Sequence, residues 1–307
     1  MIPLALVGLG KIARDQHVPA LADSSDFELA ATVDPQAPAI AGIPHFADLR
    51  AMRAAMPQIA AVAVCTPPQV RALVAAAAIG AGLHVMLEKP PAASVSQAQA
   101  LAQAAKRSGV SLFAAWHSRE AGGVAPARAW LADKTIRSVA IRWREDVRQW
   151  HPGQAWIWQA GGLGVFDPGI NALSILTVLL PGAVVLDRAV LDMPANCAAP
   201  IAARLELYAD GGACVNADFD FRQTGQQTWE IAVDTDAGSL LLQDGGAKLS
   251  LPGAEPVLYP KGEYAALYTR FADLIARAAS DVDLTPFTLV ADAFLLGDRR
   301  TVEPFYD

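Results

Sequence analysis

The 307-residue chain is longer than one hydrophobic core usually serves, so two domains are expected. With 53% hydrophobic and 18% charged residues it is not an extended disordered protein, and a formal charge of -7 disfavours a nucleic-acid partner. Three scattered cysteines, Cys65, Cys197 and Cys214, form no C-x-x-C pair and no disulfide framework, which fits a reducing compartment. The apolar stretch 2–9 has no basic segment before it, and the uncharged runs 54–70 and 72–87 are broken by Pro67 and Pro68, or by Gly80, Gly82 and His84. The expectation is a cytoplasmic protein with no membrane partner.

From residue 1 to 118 short apolar runs alternate with Ala-rich segments of helical period. Strands are predicted at 4–7, 27–33, 59–65, 84–87 and 111–116, and helices at 11–22, 47–55, 69–79 and 95–108. Ser94 with Gln97 three residues on forms a capping-box pattern ahead of the last of these. Such alternation predicts an α/β fold, a doubly wound parallel sheet of Rossmann type over residues 1–118. Beyond residue 118 the texture changes to longer β runs at 136–147, 184–192, 201–209, 213–221, 228–234 and 239–243, with Gly-rich turns at 210–212 and 244–246. Helical patterns at 169–180, 263–279 and 286–297 should cover one face of that sheet. Residues 119–307 are therefore predicted as an α+β domain with a mostly antiparallel, open sheet.

The first predicted strand runs into Gly8-x-Gly10-x-x-Ala13 and a helix, and Asp34 closes the second strand. In a dinucleotide turn Gly8 makes the tight bend, Gly10 admits the pyrophosphate, and the N–H groups of Lys11 and Ile12 face it at a helix start. Asp34 would then accept the adenosine ribose hydroxyls. An ordinary turn followed by a capping Asp would present the same residues, and the strand-turn-helix context favours the dinucleotide. NAD is the expected cofactor, with NADP as the alternative. Thr66 and Pro67 in V-C-T-P-P (64–68), and Glu88 and Lys89 in L-E-K-P-P (87–91), end two further strands at the edge where such sheets bind ligands. Lys89 brings a cation to that edge, although a lysine in a surface turn is the common reading of such a tripeptide elsewhere.

Residues 143–158, W-R-E-D-V-R-Q-W-H-P-G-Q-A-W-I-W, hold four of the seven tryptophans beside Glu145, Asp146, Arg148 and His151. Indole faces such as those of Trp143 and Trp150 suit the C–H face of a sugar ring, and the charged groups suit its hydroxyls. Packing beneath the sheet, or at a subunit contact, would use the same rings. Further on, a helix starting at Pro168 would make Asp167 its N-cap and set Asn171 on the same face. Capping alone accounts for an Asp before Pro. His117 in A-A-W-H-S-R could reach a substrate, while His17, His45 and His84 share no metal-ligand spacing and are read as structural or supporting. No metal is expected.

Together G-x-G-x-x-A, C-T-P-P, E-K-P and G-G-L-G-V-F-D-P-G-I-N (161–171) resemble the Gfo/Idh/MocA family of nicotinamide-dependent sugar and cyclitol oxidoreductases. The longer blocks G-K-I-A-R-D-Q-H-V-P-A, H-V-M-L-E-K-P-P and W-H-P-G-Q-A-W-I-W are similar to its aldose 1-dehydrogenases, and the likeness spans nearly the whole chain. The resemblance implies NAD(P)-dependent oxidation of an aldopyranose of the L-arabinose or D-galactose type at C1 to the aldonolactone. It also implies a cis Lys89-Pro90 bond, a homo-oligomer, and a constellation of Lys89, Glu145, His151, Asp167 and Asn171. Many members carry His where this chain has Asn171, and an amide cannot exchange a proton. The base is left open among Asp167, Lys89 and His151. A cyclitol or keto-sugar oxidoreductase, or a sensor that binds NAD and sugar without turnover, would share the fold.

Overall fold

The computed structural model describes residues 1–306. Contacts divide the chain into two units, Met1–Trp116 with Tyr264–Leu284, and His117–Glu263 with Thr285–Asp307. Among the described residues no helix is long and apolar enough to cross a membrane.

The first unit is built on six parallel strands, β1 (Ile2–Val7), β2 (Phe27–Val33), β3 (His45–Phe46), β4 (Ala61–Val64), β5 (His84–Leu87) and β6 (Leu112–Ala114), in the order β3-β2-β1-β4-β5-β6. This is the doubly wound order, whose switch point lies between β1 and β4. The helices are α1 (Val18–Ala22), α2 (Leu49–Ala55), α3 (Pro68–Gly80) and α4 (Val95–Ser108). Period-two alternation sends Leu4 and Leu6 to one face of the sheet, and Ala5 and Val7 to the other, so each face has its own core. Ser94 caps α4 by accepting from Gln97 N at 3.3 Å, and the Gln97 amide accepts from Ala93 N at 3.2 Å. The segment leading into α1 is a π-helix over Ala13–His17, closed by Val18 N–H on Ala13 O. Sequence periodicity gave one unbroken helix there, because a single widened turn barely alters the apolar spacing.

One expectation is corrected. The helical pattern at 263–279 was assigned to the second sheet, yet Tyr264–Leu284 belongs to the first unit. Helix α8 (Glu263–Ala276) carries a stripe of Tyr264, Leu267, Tyr268, Phe271 and Leu274, and that stripe covers the Leu4/Leu6 face. Phe271 stacks on Phe27 at 5.4 Å and on Phe113 at 6.3 Å between ring centroids. The expected division into 1–118 and 119–307 thus becomes a discontinuous one, since a helix is placed by the surface its stripe fits and not by its neighbours in sequence.

The second unit holds a nine-stranded sheet ordered β14-β13-β12-β11-β7-β10-β9-β8-β15. Its strands are β7 (Ile136–Arg144), β8 (Val184–Pro194), β9 (Ala202–Ala209), β10 (Cys214–Asp220), β11 (Thr228–Thr235), β12 (Gly238–Gln243), β13 (Lys248–Ser250), β14 (Val257–Leu258) and β15 (Asp298–Val302). All pairings are antiparallel except β7 with β10 and β8 with β15. Helices α5 (Val124–Leu131), α6 (Val147–Trp150), α7 (Phe166–Leu179) and α9 (Thr285–Leu296) complete the unit. Helix α7 is buried along most of its length, and Phe166 meets Phe219 of β10 at 5.8 Å and Phe294 of α9 at 5.6 Å. The short strands β13 to β15 and helix α5 were not legible in the sequence, being too brief or too evenly apolar for a period to show.

Phe271 is fully buried and holds two aromatic neighbours, so Phe271→Ala is expected to cost about 3–5 kcal/mol of stability, read by urea denaturation of the whole chain.

Candidate active site

The turn after β1 has the backbone that a dinucleotide requires. Gly8 adopts φ +89°, and a methyl group there would lie 2.8 Å from Thr66 N and 3.0 Å from the Cys65 carbonyl carbon, so only glycine fits. A methyl at Gly10 would meet nothing within 4 Å, which leaves its outer side open to a diphosphate. Thr66 Oγ1 is buried with no hydrogen-bond partner in the protein, a polar group awaiting one from a ligand. These features fit a nicotinamide dinucleotide. Residues Gly8, Gly10, Lys11, Ile12 and Thr66 would hold it, with Pro67 capping α3 beside them. Lys11 is exposed and paired with Asp15.

Asp34 closes β2 and organises the turn as well as facing it. Its Oδ2 accepts from Leu9 N at 2.8 Å, and its Oδ1 accepts from Gln36 N and Ala37 N, each at 2.8 Å. Partial burial pushes the carboxyl pKa up. The Leu9, Ala37 and Gln36 N–H groups outweigh that, with His45 acting in the same direction, and hold Asp34 below the usual carboxylate range.

Lys89 leaves the end of β5 half-buried, and the Lys89-Pro90 peptide is cis, as the resemblance implied. Arg71 of α3 fixes this loop, donating from Nη1 to Glu88 O at 2.6 Å and to Pro90 O, and from Nε to Thr66 O at 3.0 Å. Glu88 differs from its expected role as a cofactor contact. It is 3% exposed, and its carboxylate is taken by His17 at 2.9 Å and the Tyr264 hydroxyl at 2.8 Å, so it points into the unit and not along its ligand edge.

In the second unit the predicted substrate groups come together. Glu145, one residue past β7, is 4% exposed, with its N–H on Asp220 O at 2.9 Å. Its Oε1 lies 3.0 Å from His151 Nε2, and its Oε2 accepts from Trp229 Nε1 at 2.9 Å. On the far side of the imidazole, Nδ1 is 3.8 Å from Asp167 Oδ2. Because Glu145 can only accept, Nε2 carries the hydrogen and Nδ1 is the ring nitrogen turned toward Asp167. Asp167 itself is 3% exposed. It is not the N-cap: α7 starts at Phe166, Val165 occupies the cap position, and Asp167 lies in the first turn with its N–H on Gly164 O at 2.8 Å. Gly164 makes this possible, since its φ is +54° and a methyl there would sit 2.3 Å from Pro200 O. Asn171 follows one turn later on the same helical face, half-buried.

The remaining predicted residues are placed less centrally. Trp150 is 39% exposed and meets Trp229 edge to face at 5.0 Å, whereas Trp143 is 5% exposed, on the covered face of β7. His117 opens a short 3-10 turn, with Nδ1 3.3 Å from Ser118 Oγ. Sequence reading missed Trp229, Tyr264 and Arg71, and it passed over His17 as structural or supporting. Trp229 had one available signal, its place at the head of the Trp229, Ile231, Val233 alternation along β11. Nothing local announced the other three.

Residues 2–115 match the Gfo/Idh/MocA family model, described as an oxidoreductase family with an NAD-binding Rossmann fold. The chain is 46% identical over 306 residues to galactose 1-dehydrogenase of Pseudomonas fluorescens, covering 100% of this chain and 99% of that protein. The crystal structure of D-galactose-1-dehydrogenase from Rhizobium etli superposes with a TM-score of 0.94 at 51% identity, over 99% of this chain and 98% of that one. A 3-ketoreductase from Actinomadura kijaniata, crystallised with NADP, matches with a TM-score of 0.84 over 98% of this chain and 99% of that one. At 18% identity it shares the fold.

A carboxylate whose native pKa is depressed stabilises the fold above its unfolded value, and that stabilisation is lost as pH falls through the native one. Asp34→Ala is therefore expected to cost about 1–2 kcal/mol at pH 7. The gap to the parent protein should close as pH drops below about 3.9, measured by urea denaturation across a pH series.

Proposed function

Because the chain belongs to the Gfo/Idh/MocA family of oxidoreductases, we propose that it is an NAD-dependent aldose 1-dehydrogenase acting on a D-galactose-type pyranose. The observation that carries this reading is the enclosed Trp229–Glu145–His151–Asp167 line, an acid-base set with an indole beside it. Support also comes from the two full-length relatives, which are named galactose 1-dehydrogenases. L-Arabinopyranose presents the same ring hydroxyls at C2, C3 and C4 and lacks only the C5 substituent, so it is the expected second substrate. The exposed face of the second sheet, where Arg142, Tyr208 and Asn216 point outward, is the proposed homo-oligomer contact.

Bound NAD would accept the hydride leaving C1. Asp167 takes the proton of the anomeric hydroxyl as that hydride departs, and Asn171 orients the same hydroxyl through its amide. His151 Nδ1 stands ready to receive the proton from Asp167, because Glu145 compensates the imidazolium that forms and Trp229 keeps Glu145 in place. Trp150 and Trp229 offer apolar faces to the sugar C–H groups. Lys89 polarises the hydroxyl and stabilises its developing negative charge.

Absorbance of NADH on mixing the protein with NAD and D-galactose, L-arabinose, D-xylose or D-glucose tests the substrate. D-galactose should be fastest, and no turnover with any aldose would sink the reading. Lys89→Ala and Asp167→Asn should each lower kcat by about two to four orders of magnitude, while His151→Ala raises KM for sugar and lowers kcat less. Asp34 has one acceptor position beyond its three backbone bonds for a ribose hydroxyl, and its charge opposes a 2'-phosphate. The kcat/KM ratio should favour NAD over NADP, and Asp34→Ser should narrow the gap.

A further inference from the structure

Glu88 and Lys89 are adjacent in sequence, the first buried and the second half-buried. Glu88 and His17 are 3% and 1% exposed, and they form an ion-pair contact at 2.9 Å in the interior of the first unit. Every oxygen of the carboxylate is engaged: Oε1 with His17 Nε2 and the Tyr264 hydroxyl, and Oε2 with the backbone N–H of Lys89 at 3.0 Å. The second imidazole nitrogen lies 2.7 Å from the Tyr268 hydroxyl. On the outer side, Arg71 holds the carbonyls of Glu88 and Pro90. The peptide unit between Glu88 and Lys89 is thus gripped at both ends, its N–H by a buried carboxylate and its carbonyl by a guanidinium that also holds the Pro90 carbonyl beyond the lysine.

An apolar pair of the same volume would fill this space without the desolvation penalty, so packing alone does not explain the charged one. We infer that His17 and Glu88 form a buried ion-pair clamp that positions Lys89, with Tyr264 as its third member. The clamp also joins two loops. The helical run that starts at the dinucleotide turn passes through the π-helix Ala13–His17, and its last residue grips the residue before Lys89. The groups facing the imidazole are Cys65, Glu88, Tyr264 and Tyr268. Burial alone would drive its pKa down; Cys65, Tyr268 and Glu88 override this and hold it well above the ordinary histidine value. Burial and the Glu88 charge push the Tyr264 hydroxyl up, which keeps it a donor. The charge assignment is therefore consistent around the cluster: an imidazolium and a neutral phenol on one carboxylate.

The inference rests on the role proposed for Lys89, and the test separates the two. Steady-state kinetics and NAD titration are run on the parent protein, Lys89→Ala, Glu88→Gln, His17→Gln, the double variant His17→Gln/Glu88→Gln, and Tyr264→Phe, with rates normalised to folded protein. Either single neutralisation should lower kcat about 10- to 100-fold, with NAD affinity and KM for sugar changed less than about threefold. The double variant should lose no more than the worse single, since no charge is then left unpaired. Tyr264→Phe, which keeps the ring and removes one donor, should lower kcat about three- to tenfold, and it carries the test if the charge variants do not fold. Independently of turnover, ring nitrogen NMR of the cofactor-free protein should show an imidazolium at neutral pH that is missing in His17→Gln. Unchanged kcat in Glu88→Gln or Tyr264→Phe, or a neutral His17 at pH 7, would overturn the clamp. Unchanged kcat in Lys89→Ala would instead overturn the catalytic role of the lysine.

Discussion

A charged side chain taken out of water survives only where donors or opposite charges replace the water it lost. Among the described residues the buried side chains of this kind are His17, Arg71, Glu88, Glu145 and Asp167, and each lies in one of the two candidate site regions. The cores of both sheets are otherwise mostly Leu, Ile, Val, Phe and Ala. The desolvation penalty is thus concentrated at the strand ends and at one helix start, where the loops must be held to a fixed geometry. Gly8, Gly164 and the π-turn at Ala13–His17 are the backbone counterpart: each brings main chain to where an ordinary conformation or an added carbon would not fit.

The two histidines His17 and His151 use one principle with different outcomes. His17 has both ring nitrogens occupied, by Glu88 and Tyr268, and no face turned to solvent. His151 is anchored at Nε2 alone and keeps Nδ1 toward Asp167, with a side chain 15% exposed. Saturating an imidazole makes a fixed charge, and anchoring one nitrogen makes a proton acceptor with a set direction.

The alternation of short strands and Ala-rich helices was readable over residues 1–116 because both periods are clean there, and β2, β5 and α4 carry the predicted bounds. The dinucleotide turn and the E-K-P loop were legible from spacing, since their function lies in the backbone. Partner choice was not. Glu145 and His151 were visible as candidates within one Trp-rich stretch, yet Trp229, which fixes Glu145, comes from a strand 84 residues on. That Glu88 faces inward, onto His17 and Tyr264, depends on which side of a strand end it lies on, and the tripeptide alone does not encode it. A helix starting at Pro168 would have made Asp167 its cap; the Gly164 turn starts the helix two residues earlier, at Phe166, and sets Asp167 in its first turn.

The return of α8 to the first unit bears on how the protein is made. A ribosome delivers β1 to β6 well before residues 264–284, so the nascent first unit lacks the α8 cover over Phe27, Phe113, Leu4 and Leu6 while β7 to β14 of the second sheet are being synthesised. Its closing contacts span more than half the chain and have a high loop-closure cost, which makes them late events in folding. During that interval an apolar sheet face is open to other nascent chains. A gene fragment ended at the apparent boundary near residue 118 would make that interval permanent, giving a product that collects in inclusion bodies although its nucleotide-binding sequence is intact.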